Sequence, residues 1–312
     1  MRTAVVDIGT NSTRLLIADV SPDGAVSELV RRSVVTRLGD GVDSSGSLSE
    51  QAASRVFAAL ETFRTEIEDQ SPDANLAVLT SAVRDASNGA EFAARIRSGY
   101  GLDAKILSGD EEARLTFLGA MSGQPAEHPR APSEPTVVID IGGGSTEFIV
   151  GVGRTPGFHV SLHAGVVRMS ERHIHTDPPA PAELQRLAAD THAIFLAGLP
   201  ARERARVTRG IAVAGTATSA AAIDQELDPY DPARVHGYTL LLATVELLLA
   251  RLADMTEAQR RALVGLDPAR APTIVAGMIL LSEAIRMFDL DLVEVSEHDI
   301  LHGASLSLAG LG

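Results

Sequence analysis

Cysteine is absent from this 312-residue chain. That excludes disulfides and thiolate metal sites, so any bound metal must be held by oxygen or nitrogen. Basic residues are in deficit: the formal net charge is −14 and the isoelectric point is near 5.0. General nucleic-acid binding needs a basic footprint and is excluded on that ground. A polyanion could still bind, through a local cluster of arginines, backbone N–H groups and metal ions. Long apolar runs are also missing. The stretches around Leu240–Leu252 and Thr273–Leu281 are too short or too interrupted to span a bilayer. Met1–Val20 is apolar but broken by Asp7, Arg14 and Asp19, and it lacks the basic start and cleavage site of a secretory signal. The expectation is a cytoplasmic protein without membrane or nucleic-acid partners.

What is present is ordinary globular material, 45% hydrophobic and 22% charged. At about 100–200 residues per domain, this length predicts two domains. An internal repeat says where they lie. Val5-Val6-Asp7-Ile8-Gly9-Thr10-Asn11-Ser12-Thr13-Arg14-Leu15 returns as Val138-Ile139-Asp140-Ile141-Gly142-Gly143-Gly144-Ser145-Thr146-Glu147-Phe148, 133 positions on (140 − 7). A shift of that size is a domain duplication rather than a solenoid period. The expected domains are residues 1–122 and 136–312, with the last helix free to pack back on the first domain. Ser122–Pro135, rich in Gly, Pro, Ala and Ser, reads as the linker.

Each copy reads as strand, glycine-rich turn, strand: Thr3–Val6 then Leu15–Val20, and Thr136–Ile139 then Phe148–Val152. Leu48, Ala52, Val56, Leu60, Phe63 and Ile67 follow helical spacing, with Ser47 or Ser49 as cap. Further strands are expected at Leu76–Thr80, Lys105–Leu107, Ile211–Ala214 and Leu292–Val295, with Gly165–Val167 extended before Arg168. Helices are expected at Glu111–Met121, Pro181–Leu199, from Thr216, and at Thr239–Ala253, Pro272–Phe288 and Asp299–Leu308. Both halves are therefore α/β.

A loop of Gly, Ser and Thr after a strand can turn several backbone N–H groups inward as an anion cradle. An Asp beside it would repel phosphate unless a cation lies between, so Asp7 and Asp140 point to Mg²⁺ bridging carboxylate and phosphate oxygens. Neither loop ends in the Gly-Lys-Ser/Thr of a P-loop, and neither is a dinucleotide fingerprint. The plainer reading of one such loop is a tight hairpin; two copies expected to face each other across a cleft favour paired phosphate loops.

The first loop resembles the first phosphate motif of the actin, sugar kinase and heat-shock ATPase superfamily. The second resembles the exopolyphosphatase / guanosine pentaphosphate phosphohydrolase (Ppx/GppA) family. Three more segments are similar to that family: Thr80-Ser81-Ala82-Val83-Arg84-Asp85-Ala86-Ser87-Asn88-Gly89, Ser108-Gly109-Asp110-Glu111-Glu112-Ala113-Arg114-Leu115 and Gly165-Val166-Val167-Arg168-Met169-Ser170-Glu171. The likeness runs from Met1 to about Gly303. It implies a duplicated actin-like (ribonuclease H-like) fold, two domains around a central cleft, and a homodimer. It also implies exopolyphosphatase activity, or the same chemistry on guanosine pentaphosphate, with Mg²⁺ or Mn²⁺ as cofactor. The resemblance is to the short two-domain form of the family, so the extra C-terminal helical domain of many members is not expected.

Roles follow from the resemblance residue by residue. Glu112, directly before Ala-Arg, is expected to be the general base. Glu111, within Ser108-x-x-Glu111, reads locally as a capping box and is the alternative base. Arg84 is expected on the substrate, with a salt bridge to Asp85 or Asp110 as the plainer reading; Asn88 assists it or caps the next helix. Asp140 and Glu147 are the expected metal carboxylates, with Asp7 opposite them. Gly9, Thr10, Asn11, Ser12, Gly142, Gly143, Gly144 and Ser145 are the expected phosphate-binding positions. Arg14, which aligns with Glu147, either joins them or makes an ion pair. Gly215, before a helix, passes the polyphosphate tail or a guanosine, or simply packs. Arg168 offers an anion contact or an ion pair. His159, His163, His173 and His175 read as solvated loop residues; His298 and Asp299 read as capping or interdomain contacts. A sugar or small-molecule kinase, and a non-catalytic sensor of polyphosphate or an alarmone such as (p)ppGpp, stand as rival classes.

Overall fold

A computed structural model describes residues 1–122 and 134–311. Most of the expected linker, 123–133, lies outside the described residues. The chain divides into two compact units, one formed by Met1–Gly123 with His298–Gly312, the other by Gln124–Glu297. The second unit thus stops short of the expected boundary at 312. The last helix, Ile300–Leu308, belongs to the first unit because its apolar face, Ile300, Leu301 and Ala304, has its partners there.

The first unit carries strands β1 (Arg2–Ile8), β2 (Ser12–Val20), β3 (Val26–Val35), β4 (Ala74–Leu79) and β5 (Ala104–Ile106) in the order β3-β2-β1-β4-β5. β2 runs antiparallel to both neighbours, while β1, β4 and β5 are parallel. Side chains alternate between the two faces of a strand. Ala4, Val6 and Ile8 of β1 pack with Val56, Leu60 and Phe63 of the helix Glu50–Gln70. Val5, with Leu16 and Ala18 of β2, takes the other face and meets Leu115, Ile300, Leu301 and Ala304. By alternation Asp7 and Arg14 belong to that second face. The helix Gly109–Ser122 and the helix Ile300–Leu308 cross closely there. A methyl on Gly119 would collide with the Asp299 carbonyl, and one on Gly303 with the Leu115 carbonyl.

The second unit carries β6 (Thr136–Ile141), β7 (Thr146–Val152), β8 (Thr155–Leu162), β9 (Arg209–Val213), β10 (Thr239–Leu241) and β11 (Leu292–Val295), ordered β10-β11-β9-β6-β7-β8. Read from β8, this repeats the first sheet strand for strand and adds β10 at the edge. The duplicated ribonuclease H-like order is that of the actin-like fold. Val137, Ile139 and Ile141 of β6 and Phe148 and Val150 of β7 enter one core, where Phe148 meets the Phe195 ring edge-on at 4.9 Å. Asp140 and Glu147 lie on the opposite faces of their strands.

Three sequence expectations change. Gly165–Val167 is not extended: Gly165 precedes a helix, Val166–His173, despite its paired valines. Thr239–Leu241 is strand β10, and the helix begins only at Leu242. β3, an edge strand of the first sheet, was not anticipated. No helix among the described residues is long and apolar enough to cross a membrane.

Candidate active site

The two glycine-rich turns are built alike. Gly9 N–H donates to the Ser12 carbonyl at 3.0 Å, and Gly142 N–H to the Ser145 carbonyl at 3.0 Å. A Cβ at either glycine would press on that same carbonyl at 3.2 Å. The next residue is used alike too. Thr13 Oγ1 lies 3.0 Å from Thr36 Oγ1, and Thr146 Oγ1 donates to the Ala164 carbonyl at 2.6 Å, each bracing the turn against the chain just after the third strand.

That following segment also takes up the carbonyls of each turn. Thr36 and Arg37 N–H donate to the Asn11 carbonyl and Gly39 N–H to Thr10; Val166 N–H donates to Gly142 and Val167 N–H to Gly143. Arg168 Nε adds a bond to the Gly144 carbonyl at 2.8 Å, so this arginine holds the loop from behind. Gly165 leaves room for this approach, since a side chain there would enter the Gly143–Gly144 backbone. Among the described residues, no carbonyl accepts from the N–H groups of Thr10, Asn11, Gly143, Gly144 or Ser145. Carbonyls tied back and N–H groups left over are the makings of an anion cradle.

Glu112 lies in the first turn of the helix Gly109–Ser122 and is buried, 8% exposed. Arg84, near the end of the short helix Ser81–Asp85, donates to Glu112 Oε2 at 2.7 Å and to the Leu107 carbonyl at 3.2 Å. Asp85 is only a distant second partner at 4.0 Å. Burial pushes the Glu112 carboxyl up from its ordinary range; Arg84 opposes this, and the charges of Asp7 and Asp85 add to it. Glu111, one residue away, does the capping. Its Oε2 accepts from Ser108 N–H at 2.9 Å and from Ser108 Oγ at 3.0 Å, while Oε1 takes Lys105 Nζ at 2.6 Å. Lys105 and these Ser108 bonds hold its carboxyl down to about 2. Their surroundings thus drive the two adjacent glutamates in opposite directions, the buried one up and the capping one down.

The repeat juxtaposes opposite charges in one copy and like charges in the other. On β1 and β2, Asp7 faces Arg14; on β6 and β7, Asp140 faces Glu147. Asp7 Oδ2 accepts from Arg14 Nε at 3.0 Å and Nη2 at 2.6 Å, and Arg14 Nη1 pairs with Asp299. Arg14 therefore spends its guanidinium on two carboxylates, the ion-pair alternative of the sequence reading. Burial pushes the Asp7 carboxyl up against the pull of Arg14. Asp7 Oδ1 is buried without a hydrogen-bond partner among the described residues. Glu147 is 2% exposed, with Oε1 accepting from Ser161 Oγ at 2.6 Å. Two carboxylates directly opposite on paired strands repel unless a cation or proton intervenes.

Several residues do other work than expected. Asn88 is tied to Leu48 on both sides, accepting from its N–H and donating to its carbonyl at 2.9 Å each. Its amide is spent on the loop before the helix Glu50–Gln70, not on Arg84. Gly215 lies against the Arg270 guanidinium, which a side chain there would strike; nothing in the sequence pattern singled out Arg270. Thr10 Oγ1 reaches Ser81 Oγ at 2.9 Å, joining the first loop to the arginine segment. His173 pairs with Asp190 at 2.9 Å.

The chain matches the profile of the Ppx/GppA phosphatase family over residues 16–310. It is 36% identical to exopolyphosphatase 2 of Mycobacterium tuberculosis, covering 99% of both chains. Among solved structures it is similar to an exopolyphosphatase from Cytophaga hutchinsonii, with TM-score 0.87 and 28% identity over 100% of this chain and 99% of that one. It is likewise similar to the Aquifex aeolicus member of the family, with TM-score 0.82 and 28% identity over 99% and 97% of the two chains. Two glycine loops of one design, a buried glutamate held by an arginine and a match across nearly the whole chain agree: this protein belongs to the Ppx/GppA phosphatase family.

Proposed function

We propose that this chain is a Mg²⁺-dependent exopolyphosphatase that removes the terminal phosphate of inorganic polyphosphate. The observation that carries the reading is Glu112: a buried carboxylate with a raised proton affinity, aimed by Arg84 and set at a helix start. Its carboxylate takes a proton from water as the water oxygen attacks the terminal phosphorus. The bridging P–O bond breaks, and the shortened polyphosphate leaves with the electron pair. Arg84 binds terminal phosphoryl oxygens, since guanidinium matches them bidentately. The spare N–H groups of each loop, Gly9–Ser12 and Gly142–Ser145, offer donors to phosphate oxygens, and positioning with charge stabilisation supplies most of the acceleration.

Asp140 and Glu147 would hold the metal, whose positive charge offsets that of the phosphates when bound. The like-charged cross-strand pair fits a hard cation with oxygen ligands. Mn²⁺ suits the same donors. Arg14 in this reading is an internal counter-ion to Asp7 rather than a phosphate ligand. The reading extends to a cytoplasmic homodimer.

The test is phosphate release with Mg²⁺ from short polyphosphate, long polyphosphate, guanosine pentaphosphate and ATP, for wild type and Glu112→Gln. Release from polyphosphate that collapses in the variant is expected. Release from guanosine pentaphosphate alone would move the substrate to the alarmone with the site unchanged. Release from none, with the fold intact, would sink the hydrolase.

A further inference from the structure

Away from these loops, the first unit gathers one carboxylate and two imidazoles. Glu28 stands on β3, the edge strand of its sheet. His298 precedes Asp299, which caps the helix Ile300–Leu308, and His302 lies one turn into that helix. One ligand atom from each residue lies within 4.8 Å of the others. His302 is fully buried, and its Nδ1 has no hydrogen-bond partner among the described residues. Its Nε2 is 3.0 Å from Glu28 Oε1 but without hydrogen-bond alignment. The two rings stack at 3.9 Å with 14° between their planes.

We propose that Glu28, His298 and His302 form a binding site for a divalent transition metal of the zinc class, one that fastens the C-terminal segment to the edge of the first sheet. The donor set decides the class. Two imidazoles and one carboxylate suit zinc and its neighbours, whereas Mg²⁺ prefers an all-oxygen shell. At about 2.0–2.1 Å from a zinc ion, ligand atoms in a tetrahedron stand roughly 3.4 Å apart. The present spread closes if His298, the half-buried ring, turns out of its stack, because parallel rings cannot both direct a lone pair at one ion. Arg31 Nη1 now donates to Glu28 Oε1 at 3.0 Å and occupies the cation's place. Its long side chain can withdraw toward solvent, from which the ion would enter beside the exposed Glu28. The negative charge of Asp299, between the histidines, is already matched by Arg14. The gain for the protein is a cross-link between residues far apart in sequence, at the segment whose Asp299 holds Arg14 on Asp7.

The site stands apart from the phosphate chemistry, and its test does not need activity. Chelator-treated full-length protein is titrated with Zn²⁺ by calorimetry, with thermal unfolding followed in parallel. One high-affinity ion per chain and a raised Tm are expected. Glu28→Gln and His298→Ala, both at accessible positions, should each weaken binding at least tenfold and remove the Tm rise. Glu147→Gln should keep both. His302→Ala is a weaker probe because it opens a cavity, so the two accessible variants decide. No Zn²⁺ binding by wild type, equal affinity in Glu28→Gln and His298→Ala, or loss of the ion in Glu147→Gln would each overturn the proposal. Cobalt provides a check on geometry: visible absorption of a tetrahedral Co²⁺ complex in wild type, absent from His298→Ala, is expected.

Discussion

Arg84 Nη1 donates to Glu112 Oε2 at 2.7 Å, and both groups come from helix ends, one just after β4 and the other just after β5. The bond aims the carboxylate while leaving Oε1 for a water molecule. Glu112→Gln keeps the shape and removes the carboxylate proposed as the base. We expect kcat to fall about 10²–10⁴-fold with KM little changed, the usual weight of general-base catalysis. Steady-state phosphate release at saturating substrate checks this, and an unchanged kcat would remove Glu112 from the mechanism.

The two neighbouring glutamates predict opposite pH behaviour. Burial raises the Glu112 carboxyl, so the folded state binds its proton more tightly than the unfolded chain does. Its ionisation then costs stability above pH 4.5. Glu112→Gln should have a Tm at or above wild type at neutral pH and no advantage at pH 4. Glu111 is the reverse. Held down to about 2 from 4.5, its carboxylate stabilises fully above the ordinary value and loses that effect as pH falls toward 2. Glu111→Gln should lower stability at pH 7 by about 1 kcal/mol, a lost capping interaction, and leave the acid limb of the kcat profile where it was. Thermal melts across pH, beside rate profiles for both variants, separate the two residues.

Asp140 and Glu147 face each other where the first repeat has Asp7 and Arg14. If a metal ion serves this pair as Arg14 serves Asp7, Glu147→Gln should raise the Mg²⁺ concentration needed for half-maximal rate by tenfold or more. Relief of the like-charge repulsion should meanwhile leave the metal-free protein no less stable. Activity titrated with Mg²⁺, together with a melt in chelator, checks both halves.

Asp299 closes a buried chain of charge, Asp7 to Arg14 to Asp299, and caps the last helix through Leu301 N–H at 3.0 Å. Though burial opposes it, Arg14 keeps its carboxyl below the usual range. Asp299→Ala removes one partner of a buried pair and the cap together, and should destabilise by roughly 3–5 kcal/mol. Asp299→Asn keeps a capping acceptor and should cost clearly less. Urea denaturation of the three proteins measures the difference.

Much of the site is legible in the chain because the repeat is. Asp7 and Asp140 end strands, Gly9 and Gly142 open turns, and the register that pairs Asp140 with Glu147 follows from turn length alone. The capping role of Glu111 is local and could be read from Ser108. What escaped depends on partners distant in sequence. Arg14 meets Asp299 only once the chain has come back from the second unit, and Asn88 turns away to Leu48. β3 was hidden by composition: none of its residues is buried, so Val-Ser-Glu-Leu-Val-Arg-Arg-Ser-Val-Val lacks the apolar–polar alternation of a half-buried strand. The helix Val166–His173 was hidden by its own β-branched pair, a local preference that the anchoring of Val166 and Val167 N–H on the loop carbonyls overrides.

The return of His298–Gly312 to the first unit bears on how the protein is made. Chains fold largely from the N-terminus as they leave the ribosome. Here the face of the first sheet formed by Val5, Leu16, Ala18 and Val78 waits for Ile300, Leu301 and Ala304, which are translated only after the whole second unit. The second unit can close while the first is still uncovered. A nascent chain stalled before His298 would hold an incompletely covered apolar sheet face and an Asp7–Arg14 pair without Asp299, making it a natural client for chaperones until those residues emerge.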